Sequence, residues 1–255
     1  MNAPSTPAAT EEELRRDLAA AYRLVALFGW DDLVATHISV RLPEPNAFLI
    51  NPFGMLFEEI TPADLVKVDL DGNVLSPTKW GVNNAGFVIH SAIHAARHDA
   101  LCAVHLHTPD GVAVSTLEEG LLPLNQTAML VAGDLAFHEY EGVASNLDER
   151  ARLVADLGDK HAMFLRNHGT LTIGRTVGEA FTAMYYLETA CSIQVRALAM
   201  GRPRHPVDPE VIATVGRFGP MGGLEVVARD LVWPALLRKL DRVDPGWRGR
   251  SSART

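Results

Sequence analysis

The chain has 255 residues, with 23 Lys+Arg against 31 Asp+Glu for a formal charge of −8, and is 47% apolar and 21% charged. Those proportions are ordinary for globular proteins and exclude intrinsic disorder for the bulk of the chain, and no apolar run approaches the ~20 residues that cross a bilayer. An acidic chain without a Lys/Arg cluster offers no footprint for a phosphate backbone, so neither nucleic acid nor a membrane is an expected partner.

Residues 1–10 are rich in Pro, Ser, Thr and Ala and predict a disordered tail; MNAPSTPAATEEE also lacks the basic start and apolar stretch of a signal peptide, so the expected compartment is the cytoplasm. From Glu11, Leu14, Leu18, Ala21, Tyr22 and Val25 recur at helical spacing up to Gly29, which predicts a helix over 11–28. Short runs at 37–42, 47–51 and 65–70 are each bounded by Pro, Asn or Gly and predict strands, and Asp71-Gly72-Asn73 predicts a hairpin into Val74 and Leu75. Helical periodicity returns from Asn83 or Asn84 to Arg97, followed by a buried strand over 101–107. Thr108-Pro109 is a helix start, with Thr as N-cap and Pro at the first helical position. A loop and strand region is expected through Leu130, Val131 and Phe137, then a helix over 147–157 and a strand over 161–166. Thr176-Val177-Gly178-Glu179 matches a capping box and opens a helix to about Met200. A Pro-rich connector at 202–209 leads to a last helix over 224–241, kinked at Pro234, and 246–255 reads as a C-terminal tail. Cys102 and Cys191 are too few and too far apart for a disulfide framework and read as buried thiols. Helices and short strands mixed over 11–245 predict one α/β domain with helices on both faces of a sheet.

Ten histidines stand out, five of them (His90, His94, His98, His105 and His107) within 18 residues. In His105-Leu106-His107 the two rings point to one face of a strand and can converge on one metal ion, whereas Cys102, Val104 and Leu106 form an apolar opposite face. The competing explanation is that each ring hydrogen-bonds to a loop or caps the next helix. A third candidate changes the balance: His168, in Arg166-Asn167-His168-Gly169, also ends a strand, and Gly169 permits a tight turn beside it. Three neutral imidazoles leaving a coordination position open describe a catalytic divalent site, with zinc first and manganese or iron as alternatives. His90 and His94 have the i,i+4 spacing of a helical metal pair but lack a third ligand; His94 and His98 read as a polar helix face, and His90 as a catalytic or supporting residue. No G-x-x-x-x-G-K-[ST], G-x-G-x-x-G or G-x-S-x-G motif is present, which leaves nucleotide binding and a serine nucleophile without an anchor.

His105-Leu106-His107-Thr108, Arg166-Asn167-His168-Gly169 and Gly174-Arg175-Thr176-Val177-Gly178-Glu179-Ala180-Phe181 resemble the class II aldolase/adducin family over roughly residues 11–240. His37-Ile38-Ser39-Val40-Arg41, Ile50-Asn51-Pro52-Phe53-Gly54, Gly81-Val82-Asn83-Asn84-Ala85-Gly86-Phe87 and the His90–Arg97 run are similar to the adducin head and its bacterial relatives. The resemblance implies a three-layer α/β/α sandwich around a largely antiparallel sheet. It also implies zinc on His105, His107 and His168, and a homotetramer with sites near subunit interfaces. Where the family's sugar-phosphate aldolases carry an acid four residues before the position of His90, this chain has Gly86. Their phosphate-binding motifs are replaced by Thr36-His37, Asn51-Pro52-Phe53-Gly54 and Lys79-Trp80-Gly81-Val82, which argues for an unphosphorylated small-molecule substrate with Asn51, Phe53 and Trp80 as candidate contacts.

The expected activity is therefore metal-dependent carbon–carbon cleavage, by retro-aldol reaction or decarboxylation, of a small hydroxy-carbonyl compound or aromatic hydroxy-acid. His90, His138, Tyr140 and Asp134 are the candidates for proton transfer. The alternatives are a non-catalytic adducin-like binding module and, should the metal be iron, an oxygenase.

Overall fold

The computed structural model describes residues 9–143, 146–218 and 224–249. Most of the tail expected at 1–10, and residues 250–255 of that expected at 246–255, lie outside the described residues.

Helix α1 (Glu11–Leu27) starts at a full capping box: the Thr10 hydroxyl accepts from the Glu13 amide at 3.3 Å, and the Glu13 carboxylate accepts from the Thr10 amide at 2.8 Å. Its Leu14, Leu18, Tyr22 and Val25 face is buried. Seven strands follow: β1 (His37–Arg41), β2 (Ala47–Ile50), β3 (Val66–Asp69), β4 (Cys102–Leu106), β5 (Leu135–His138), β6 (Ala162–Leu165) and β7 (Gly169–Gly174). They form one sheet in the order β3-β2-β1-β4-β7-β6-β5, antiparallel except for the parallel β5–β6 pair.

Side-chain alternation assigns the layers. Ile38, Val40, Cys102, Val104 and Leu106 join one core with α1 and with Phe181 and Met184 of α6 (Val177–Ala199). On the other face Ala103, Leu171 and Ile173 pack with Ile89 and Ile93 of α2 (Asn84–Ala96) and Leu153 and Leu157 of α5 (Glu149–Leu157). Helices on both faces of a mostly antiparallel sheet make the expected three-layer sandwich. Both cysteines are free and buried, and among the described residues no helix is long and apolar enough to cross a membrane.

Several local expectations change. Leu130 and Val131 belong to a short helix, α4 (Gln126–Ala132), because the Asn125 side chain accepts from the Ala128 amide and nucleates a turn ahead of β5. The run after His168 is strand β7, which fills the gap between β4 and β6. The hairpin at 71–73 is reduced to a turn with a single Val68–Val74 bridge. The connector runs into a further helix, α7 (Pro209–Gly216), capped by Asp208. Ahead of Pro234 the last helix passes through a π turn at Ala228–Val232, which accommodates the missing amide. The fold also continues past 245: Trp247 is fully buried in the α1 core and donates to Asp241 at 2.9 Å, so the expected tail begins too early.

Candidate metal centre

β4 delivers His105, and His107 follows directly after its last residue. It is paired on both edges, by β1 and β7, so the position of His105 is fixed, and the strand stops because Thr108 turns the chain into α3 (Pro109–Ser115), accepting from the Gly111 amide at 3.1 Å. His168 sits in the tight β6–β7 turn. The left-handed residue there is Asn167 (φ 56°) rather than the glycine; Gly169 is required for closeness, since a Cβ at that position would fall 2.4 Å from the Leu106 carbonyl oxygen.

The turn brings the three rings together. His107 Nε2 lies 2.9 Å from both His105 Nε2 and His168 Nε2, and one nitrogen from each of the three falls within 4.8 Å of the others. The outer nitrogens decide what the inner ones carry. His105 Nδ1 is 2.9 Å from the Thr170 carbonyl, and His107 Nδ1 is 3.1 Å from a carboxylate oxygen of Asp32. Both partners only accept, so both Nδ1 atoms hold the proton and both Nε2 atoms present lone pairs to each other. Two lone pairs at 2.9 Å repel unless a cation lies between them, and this donor set suits a divalent ion of the zinc type. Burial holds His105 well below the usual imidazole range, and burial with His107 nearby lowers His168 to about 4, so both are neutral and able to ligate.

Behind the cluster, the buried carboxyl of Glu188 on α6 accepts from the Thr108 and Thr170 hydroxyls, the latter at 2.9 Å, tying the segment after His107 to that after His168. Loss of hydration pushes Glu188 up to about 7.

The structure separates the remaining candidates. Tyr140 is exposed, and its ring centroid stands 6.4 Å from that of His168. His90 is fully buried, with both ring nitrogens engaged by His37 and Ser39. His94, expected on a polar helix face, is buried as well and bonds Ser39 at 2.7 Å, whereas His98 is exposed. His138 is held between Asp156 at 2.7 Å and Glu149 at 3.4 Å, which leaves no ring nitrogen free. Asp134 precedes β5, at the end opposite His138, and bonds His161 at 3.0 Å, so it is not brought to the cluster. Asn51 is buried, and its side-chain oxygen accepts from Tyr22 at 3.0 Å. Phe53 is exposed and its amide donates to the Gly81 carbonyl, while Trp80 packs over Gly54 beneath the Lys79 ammonium; no ring contact joins either aromatic to the histidines among the described residues. Three important residues are absent from the expected set. Asp32, in an irregular loop, carries no sequence signal; His37 and Ser39 do, as polar side chains on the face of β1 opposite the apolar Ile38 and Val40.

A family model described as "Class II Aldolase and Adducin N-terminal domain" matches residues 16–195. A Caulobacter vibrioides protein, provisionally named an aldolase class 2 protein, is 54% identical over 93% of this chain and 92% of its own length. Alpha-adducin of Mus musculus is 48% identical over 74% of this chain but only 26% of adducin. Among solved structures, an aldolase II superfamily protein from Pseudomonas syringae is similar with TM-score 0.88 and 50% identity, covering 96% of this chain and 98% of that one. The L-fuculose 1-phosphate aldolase of Glaciozyma antarctica PI12 is similar with TM-score 0.81 and 31% identity, covering 97% of each chain.

Proposed function

The chain belongs to the class II aldolase and adducin family, and from that premise we propose that it is a metal-dependent carbon–carbon lyase in which His105, His107 and His168 hold a divalent ion, zinc first. The observation that carries this reading is the convergence of imidazole nitrogens, two of them fixed as bare lone pairs by the Thr170 carbonyl and the Asp32 carboxylate. A structural role for the histidines alone would give these lone pairs protein hydrogen-bond donors, whereas His105 Nε2 and His107 Nε2 face only other imidazole nitrogens. When bound, a divalent ion supplies electrostatic stabilisation to negative charge developing on oxygens beside the breaking bond.

The chain's own groups do the rest. Asp32 and the Thr170 carbonyl orient the rings, as carboxylate and carbonyl partners do behind ligating histidines. Of the four proton-transfer candidates, Tyr140 combines exposure with proximity to His168, and we assign it proton delivery to the carbanion left when the carbon–carbon bond breaks. The substrate in this reading is a small unphosphorylated hydroxy-carbonyl compound or aromatic hydroxy-acid, and assembly as a homotetramer with sites near subunit interfaces belongs to the same proposal.

A non-catalytic reading draws support from the 48% identity with alpha-adducin. The two part experimentally. Protein loaded in turn with zinc, manganese and ferrous iron is offered a panel of unphosphorylated aldols and aromatic hydroxy-acids, with aldehyde and carbon dioxide release followed. Turnover that disappears in His107→Ala supports the lyase; no turnover with a fully occupied metal site favours the binding module, and oxygen uptake with iron alone favours an oxygenase.

A further inference from the structure

Beside the three-histidine cluster runs a second line of buried polar groups. His37 opens β1 directly opposite His105 on β4, with ring centroids 4.9 Å apart. Its Nδ1 is 2.8 Å from His90 Nε2; His90 Nδ1 meets the Ser39 hydroxyl; Ser39 Oγ is 2.7 Å from His94 Nε2; and His94 Nδ1 is 3.1 Å from the Ala100 carbonyl. All four side chains are buried.

The line has one direction because it ends on a carbonyl. Ala100 O only accepts, so the His94 proton is on Nδ1 and its Nε2 is an acceptor. Ser39 must then give its single hydroxyl proton to His94 and accept from His90 Nδ1. His90 Nε2 is left to accept from His37 Nδ1, and His37 Nε2 ends the line as a bare lone pair with no hydrogen-bond partner among the described residues. His37 is not one of the three nitrogens that converge for a metal. The space it occupies is kept open by Gly86, where a Cβ would fall 2.6 Å from His37 Cδ2 and 3.0 Å from Nε2.

We propose that His37 is a specificity-determining residue whose Nε2 accepts a hydrogen bond from a hydroxyl of the compound held at the three-histidine centre, and that His90, Ser39 and His94 act by fixing that lone pair. This rests on the metal-centre reading and narrows it to α-hydroxy-carbonyl compounds over α-keto acids, which bring an acceptor where the site needs a donor. A site built to bond a hydroxyl discriminates strongly against the analogue without it.

The test uses two chelating probes that differ by one hydroxyl: glycolohydroxamate and acetohydroxamate, titrated calorimetrically into zinc-loaded protein. Wild type should prefer glycolohydroxamate by about tenfold or more; His37→Phe, which keeps an aromatic ring, should bind the two equally, and Ser39→Ala, which keeps His37 itself, should show a smaller preference than wild type, both while retaining zinc. Equal binding by wild type, or a preference that survives in His37→Phe or is undiminished in Ser39→Ala, overturns the proposal. Nitrogen-15 spectra of the histidines test it independently of the metal. His37 should carry its proton on Nδ1 in wild type and on a mixture of both nitrogens in Ser39→Ala, and a proton on Nε2 in wild type overturns the proposal even if zinc binding itself fails.

Discussion

Replacing Gly86 by alanine sets two effects against each other whose sizes the structure supplies. Gly86 is in the first turn of α2, and alanine in a helix is favoured over glycine by up to about 1 kcal/mol. Against that, the added Cβ would stand 2.6 Å from Cδ2 and 2.9 Å from Cγ of His37. That ring cannot swing aside freely, being buried and held at Nδ1 by His90 at 2.8 Å, so either α2 shifts or the bond stretches. Overpacking of this kind costs about 1–3 kcal/mol, so the net expectation is a loss of about 1 kcal/mol, or about 2–4 °C in Tm for a chain of this size. Gly81→Ala is the control: nothing lies within 4 Å of its added methyl, and stability should stay within about 0.5 kcal/mol of wild type. Urea unfolding of the three proteins measures the difference. If Gly86→Ala is more stable than wild type by the full helix increment, with the His37 resonances unmoved, the tight Gly86–His37 packing is refuted.

Asp32→Asn keeps the shape but removes the carboxylate that fixes His107, and should weaken metal affinity by about 10–100-fold in a chelator competition. Tyr140→Phe should lower turnover by about 10²–10⁴-fold while leaving metal content unchanged, and a parallel loss of metal would argue against its assignment to proton transfer. Glu188 links pH to stability. Its folded value, about 7, exceeds its ordinary 4.5, so the stabilisation is fully present below 4.5 and is lost as pH rises through 7. In full this amounts to about 3 kcal/mol, and Glu188→Gln should flatten the slope of unfolding free energy between those pH values.

The layers of this fold are legible from periodicity because α1, α2, α6 and the strands β1, β4 and β6 each present a clean apolar face. Where caps rather than periodicity decide, pattern reading falls short. The apolar run around Leu130 fits a strand equally well until Asn125 is seen to nucleate a turn. Trp247 looks like part of a tail because the contacts that bury it come from α1, more than 200 residues earlier in the chain. The three convergent histidines are readable from strand-end spacing, since side chains two apart on a strand share a face. Asp32 is not, because its place beside His107 depends on how an irregular loop packs. His94 looks like part of a solvated helix face only while its partner on β1 is unseen; with Ser39 opposite, it joins His90 and His37 in the interior of a hydrogen-bond line.

The central claim is that His105, His107 and His168 form one divalent-metal site. Elemental analysis of purified wild type beside His107→Ala, each repeated after loading with zinc, manganese and ferrous iron and desalting, tests it most directly. The account predicts about one divalent ion per chain in wild type and none retained by the variant. No metal retained by wild type under any loading, or equal retention by both proteins, would contradict it.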